Sequence, residues 1–177
     1  MSNLVRKVNA GEKVLKRLYL FVFLWFTGRA VQAAAKVDDQ VKKEFDAIPN
    51  GFTFALGVMP KGPWMVIGKV NGKIKYLGWS IEGIRLNLRL AINNIEAAML
   101  IFTFQEGTAL ATARNRIIVD GEVPYAMSVI RVLDIVEVYL LVKIIAKLAV
   151  KRYPVWWPRG RKYVGRILIY TRTLLGF

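Results

Sequence analysis

The sequence predicts an α+β domain, with an antiparallel or mixed five-stranded sheet covered by helices. Three observations predict it. Two β-patterned runs flank Asn71-Gly72, the strongest hairpin signal in the chain. Strand-like and helix-like segments then alternate across residues 84–141, the pattern of helices laid on a sheet. Apolar residues make up 55% of the 177, enough to bury a sizeable core.

The elements follow in order. Residues 18–26, LYLFVFLWF, are apolar on every side of a helix and follow Lys13, Lys16 and Arg17. A helix of that length covers about 13 Å, against the ~20 residues needed to span a bilayer. Thr27-Gly28 is expected to end it. Shallow membrane insertion, packing on protein and a secretory signal all remain open for this run. Arg29, before the small residues Ala33 to Ala35, speaks against the signal. A second helix is expected over 30–47, with Val37, Val41 and Phe45 on one face. Pro49-Asn50-Gly51 turns the chain into strands at 52–58, 64–70 and 73–77.

Residues 84–91 alternate Arg85, Asn87 and Arg89 with Leu86, Leu88 and Leu90, a fourth half-buried strand. Asn93 or Asn94 can cap a helix over 95–104. Gly107-Thr108 breaks it before a short helix at 109–113. The fifth strand, 115–119, is rich in β-branched residues. Asp120-Gly121 turns, and Pro124 opens a long helix to about 152, where its missing N–H costs little. In that helix Met127, Ile130, Leu133, Val136 and Leu140 recur at three- and four-residue steps. Such a stripe fits a core face or the wall of a cavity. From Arg161 onward Tyr163, Val164, Ile167, Leu168, Tyr170, Leu174 and Leu175 fall on one helical side. Arg161, Lys162, Arg166 and Arg172 fall on the other, with Ile169 out of place among them. With Trp156 and Trp157 beside it, this cationic amphipathic tail has the pattern of an interfacial membrane helix, or of a helix docked on a partner.

The order of the central segments resembles the sterol carrier protein 2 (sterol-binding domain) family over about residues 45–154. The matching residues are Leu86, Leu88, Ala97-Ala98, Gly107, Ile117-Ile118-Val119, Gly121-Glu122, Arg131-Val132-Leu133 and Glu137-Val138-Tyr139-Leu140. The resemblance implies a strand, an Ala-rich helix, a glycine, a short helix, a strand and a closing helix over a lipid tunnel. It also implies binding of sterols, acyl chains or isoprenoid tails. The expected organisation is a sterol-carrier-like domain at 45–152. Residues 1–44 would form extra N-terminal helices, and 153–177 the amphipathic tail.

Composition excludes much chemistry. The chain has no Cys and no His, so disulfides, thiolate nucleophiles and His-based triads are impossible. The few carboxylates are scattered; Glu96, Glu106, Asp120 and Glu122 read as caps and turns. Neither a nucleotide-binding glycine pattern nor a metal-ligand spacing is present. No enzymatic activity is expected, and no cofactor beyond a bound lipid or quinone-like ligand.

The net charge of +15 is concentrated at the ends, with +4 in residues 1–17 and +7 in residues 151–177. That pattern fits attachment to an anionic surface. Nucleic acid is not an expected partner, because the basic ends carry apolar stripes and no recognition module is present.

The sequence therefore predicts a non-enzymatic lipid-binding protein, peripheral or monotopic on a membrane, with the cytoplasmic face favoured. The alternative is an accessory subunit of a membrane-bound complex whose termini grip partners and lipids. Ala98, Met99, Phe102, Leu110, Met127, Ile130 and Leu133 are the expected lipid-binding residues. Phe21, Phe23, Trp25, Trp156, Trp157, Arg161, Lys162, Arg166 and Ile167 are the expected contacts with anionic membrane lipid.

Overall fold

A computed structural model describes residues 13–140 and 169–171. Helices α1 (Val14–Val37) and α2 (Asp39–Asp46) precede strands β1 (Thr53–Val58), β2 (Trp64–Val70), β3 (Lys73–Gly78) and β4 (Leu88–Ile92). Helices α3 (Ile95–Phe102) and α4 (Thr108–Ala113), strand β5 (Ile117–Gly121) and helix α5 (Val123–Leu140) follow. The strands form one mixed five-stranded sheet in the order β3-β2-β1-β4-β5. β1 and β4 are parallel, and the other neighbours are antiparallel. The class is α+β, and the order strand, Ala-containing helix, glycine, short helix, strand, long helix is the one the resemblance implies.

Local chemistry explains most boundaries. Asn71 and Gly72 both take positive φ, 52° and 73°, as a tight type I′ hairpin requires. The Asn94 side chain accepts from Ala97 N and starts α3. Asp38, at φ −100° and ψ 123°, ends α1 and caps α2 by accepting from Gln40 N and Val41 N. The α2 end is held by β2: Lys69 Nζ donates to the Phe45 and Ile48 carbonyls at 2.8 and 2.7 Å.

Three segments depart from expectation. First, α1 runs unbroken for 24 residues through Thr27-Gly28. Gly28 does not break the helix; it lets the helix approach the sheet. A Cβ there would meet the Tyr76 ring at 2.6 Å and Met65 Cγ at 2.8 Å. Second, β4 starts only at Leu88. The alternation across 84–87 belongs to a loop that lies on the second face of the sheet. There Ile81, Ile84 and Leu86 pack on Ala55, Trp64, Val66 and Ala91. Asn87 clamps the strand start to β1: its N donates to Thr53 O at 2.8 Å, and its Oδ1 accepts from Thr53 N at 2.9 Å. The fifth strand also lies slightly later than expected and includes Asp120 and Gly121.

The main core lies between the helices and the other face of the sheet. Leu20, Leu24 and Val31 of α1 share it with Leu56, Ile67 and Leu90 of the strands. Residues 14–46 are thus built into the same core as the sheet. Ile169 joins this core at 1% exposure, while its neighbour Tyr170 stands at 36%. The tail pattern had placed Ile169 on the basic side; at 169–171 the side that enters the core is the one carrying Ile169.

Candidate functional site

The expected lipid-binding residues divide into an inner and an outer group. Ala98 and Phe102 are buried on α3, and Met99 and Leu133 pack half-buried against the same core. Leu110 and Met127 do not join them; they stand 48% and 47% exposed. Ile130 is half-buried on α5. Two apolar residues not singled out from the sequence stand out with the outer group: Val119 at 40% and Val123 at 67% exposure. Val119 is paired with the buried Leu90, so it faces the helical side of the sheet. Both α4 and α5 contact β5, so the exposed Leu110, Val123 and Met127 lie on elements that meet the edge strand carrying Val119, an apolar rim at this sheet edge. Val119 and Val123 escape a sequence reading because their exposure depends on β5 being the edge strand, a fact of topology.

The charged groups around this corner are specific. Glu106, in the α3–α4 connection, is buried, with Arg116 Nε at 3.2 Å and Arg114 Nη1 at 3.5 Å. It had been read as a cap or turn residue. It fixes the connection ionically, and the proximity of two arginines from 114–116 could not be read from spacing. On α5, Glu137 is half-buried; burial, and then the neighbouring Asp134, push its carboxyl up to about 8. Burial also raises Asp134. Among the described residues no cluster of three or more acidic side chains is placed to hold a metal.

The second surface is the outward face of α1. Leu15, Leu18 and Val22 lie at helical spacing and are exposed. Phe21 meets the exposed Trp79 edge-on at 5.7 Å, and Trp25 carries the Arg29 guanidinium 5.3 Å from its ring centroid. Phe23 is a correction. Its ring lies 4.8 Å from that of Phe102 and packs on the core, because position 23 falls on the inward side of the helix. Trp156, Trp157, Arg161, Lys162, Arg166 and Ile167 lie outside the described residues. By length and composition α1 could cross a membrane, yet 44% of its most apolar window is buried inside the protein. That burial makes it a core helix with one greasy outer stripe.

No protein-family model and no curated protein matches the chain. Among solved structures it is similar to a UbiJ-SCP2 ubiquinone synthesis protein, at 11% identity and TM-score 0.42, covering 72% of this chain and 94% of that one. It is similar to sterol carrier protein domain 2 of Helicoverpa armigera, at 16% identity and TM-score 0.42, covering 62% and 84%. It is also similar to apo sterol carrier protein 2 from Yarrowia lipolytica, at 10% identity and TM-score 0.44, covering 65% and 91%.

Proposed function

We propose that this protein is a non-enzymatic lipid-binding protein, attached peripherally to an anionic membrane, that takes an acyl, isoprenoid or sterol-like chain at the α3–α4–β5–α5 corner. One observation carries the proposal: four large apolar side chains at one sheet edge are 40–67% exposed. Grouped apolar exposure of this kind marks a surface that meets an apolar ligand or partner. The chain enters past Leu110, Val119 and Met127 towards Met99 and Phe102. Each CH₂ it buries contributes about 0.8 kcal/mol, so a chain of moderate length is held without any polar contact. Membrane attachment is supported by the outer stripe of α1 and by the charge of +15.

Displacement of a fluorescent acyl analogue tests the chain site. Met127→Lys and Val119→Lys are each expected to weaken binding about tenfold or more, by setting a charge against an apolar chain. Unchanged binding in both variants would remove the corner from consideration.

A second reading, the accessory subunit, is favoured by β5 itself. It is an edge strand with Ile118 and Val119 exposed, and such an edge can accept a partner's strand. Co-purification of a stoichiometric membrane partner, lost on Ile118→Lys, would support it.

A further inference from the structure

Among the described residues, Arg29 and Tyr76 form a pair of donors without acceptors. Arg29 is half-buried on the outer side of α1, its Nε is buried, and no hydrogen bond or carboxylate from the described residues meets it. Its guanidinium is stacked on Trp25 instead. Tyr76, on β3, packs its ring over Gly28, which sets its hydroxyl beside α1. That hydroxyl is also buried, with no partner among the described residues. The two groups feel each other: burial raises the Tyr76 phenol, and the Arg29 charge partly counters the rise. A buried donor left unmade is costly, and native proteins rarely leave one so. Neither α1 nor β3 contains an acidic residue. An oxyanion would satisfy both donors.

The surroundings specify which oxyanion. Arg29 closes the outward stripe of Leu18, Val22 and Trp25, and the indoles of Trp25 and Trp79 flank that stripe. Indoles favour the depth of lipid headgroups, and a guanidinium fork matches phosphate oxygens in a bidentate way. We propose that Arg29 and Tyr76 hold the phosphodiester of an anionic phospholipid, whose acyl chains remain in the bilayer against the α1 stripe. The site rests on the membrane-facing reading of α1 and is separate from the chain site at β5.

Co-sedimentation with phosphatidylglycerol vesicles at fixed ionic strength tests it. Arg29→Lys keeps the charge and loses the fork, and is expected to weaken binding about tenfold. Tyr76→Phe removes only the hydroxyl and is expected to weaken it about threefold. Lys61→Gln, on an exposed loop, is expected to stay within about fivefold, the effect of one diffuse charge. Inorganic phosphate at matched ionic strength is expected not to displace the vesicles. Equal binding by wild type, Arg29→Lys and Tyr76→Phe would overturn the headgroup site alone. Displacement by inorganic phosphate would overturn it in favour of a soluble phosphate. Failure of the wild type to bind anionic vesicles would overturn the membrane reading together with the site. Should Arg29→Lys fail to fold, Tyr76→Phe decides the matter.

Discussion

Asp38 joins three helices through its two carboxylate oxygens. One carboxylate oxygen caps α2 through Gln40 N and Val41 N, and the other accepts from Tyr139 Oη at 2.6 Å. It thereby ties the α1–α2 junction to α5 in a buried setting, where a hydrogen bond to a charged group contributes about 1.5–3 kcal/mol. Tyr139→Phe is expected to lower stability by about that amount in urea unfolding, because the carboxylate stays buried with one bond fewer. Adjacent residues on a helix point apart, and Asp39 stays exposed beside Lys42, whereas the use made of Asp38 depends on a residue 101 positions away. Gly28 gives a second case. Ala is the better helix former by about 1 kcal/mol, yet its Cβ has no room against Tyr76. Gly28→Ala is expected to destabilise the protein by about 1–2 kcal/mol, net of that gain. The loss is expected to shrink in a Tyr76→Leu background.

At the scale of elements, α5 carries opposing pH effects. The folded protein holds the Glu137 proton up to about 8, against an ordinary value of 4.5. Between those values the folded state binds more protons than the unfolded one, so this group makes stability fall as pH rises. Glu137→Gln is expected to leave the melting temperature unchanged near pH 4 and to raise it by several degrees near pH 9, roughly what a stability gain on the order of 1–2 kcal/mol produces. Glu44 behaves oppositely. Hydrogen bonding from Arg131 holds its carboxyl below 4.5, through contacts of 2.7 and 2.8 Å between α2 and α5. Its contribution is present above the unfolded value and is lost as pH falls through the depressed one. With Arg131 half-exposed, Arg131→Met is expected to cost no more than about 1 kcal/mol near neutrality, and nothing in strong acid.

The elements also mark what was legible. The Asn71-Gly72 hairpin and the Asn94 cap follow local rules, and they appear where those rules put them. On α5 the buried face runs through Ala126, Val129, Val132 and Val136, one residue out of step with the expected Met127, Ile130 and Leu133. The unbroken α1 and the late start of β4 do not follow such rules. Gly28 reads as a break until Tyr76 is set against it. The alternation of Ile84 and Leu86 reads as a strand until the second face of the sheet needs a cover. The same limit applies to the site: Leu110, Met127, Ala98 and Phe102 are alike in sequence, and the sheet edge alone separates rim from interior.

At the scale of the whole molecule, the described residues of a strongly basic protein carry two exposed apolar surfaces. In the proposed reading the α1 stripe, with Trp25, Trp79 and Arg29, meets an anionic bilayer, and the β5 corner takes a single chain. Raising the salt is expected to weaken vesicle binding, since about 1 kcal/mol per basic residue near the surface is screened. Chain binding at the corner is expected to be insensitive to salt, because it rests on apolar burial. Native mass spectrometry of the purified protein, before and after titration with acyl, isoprenoid and sterol lipids, tests the central claim most directly. The account predicts a one-to-one lipid adduct that Met127→Lys weakens about tenfold or more; a bare polypeptide mass that no lipid shifts would contradict it.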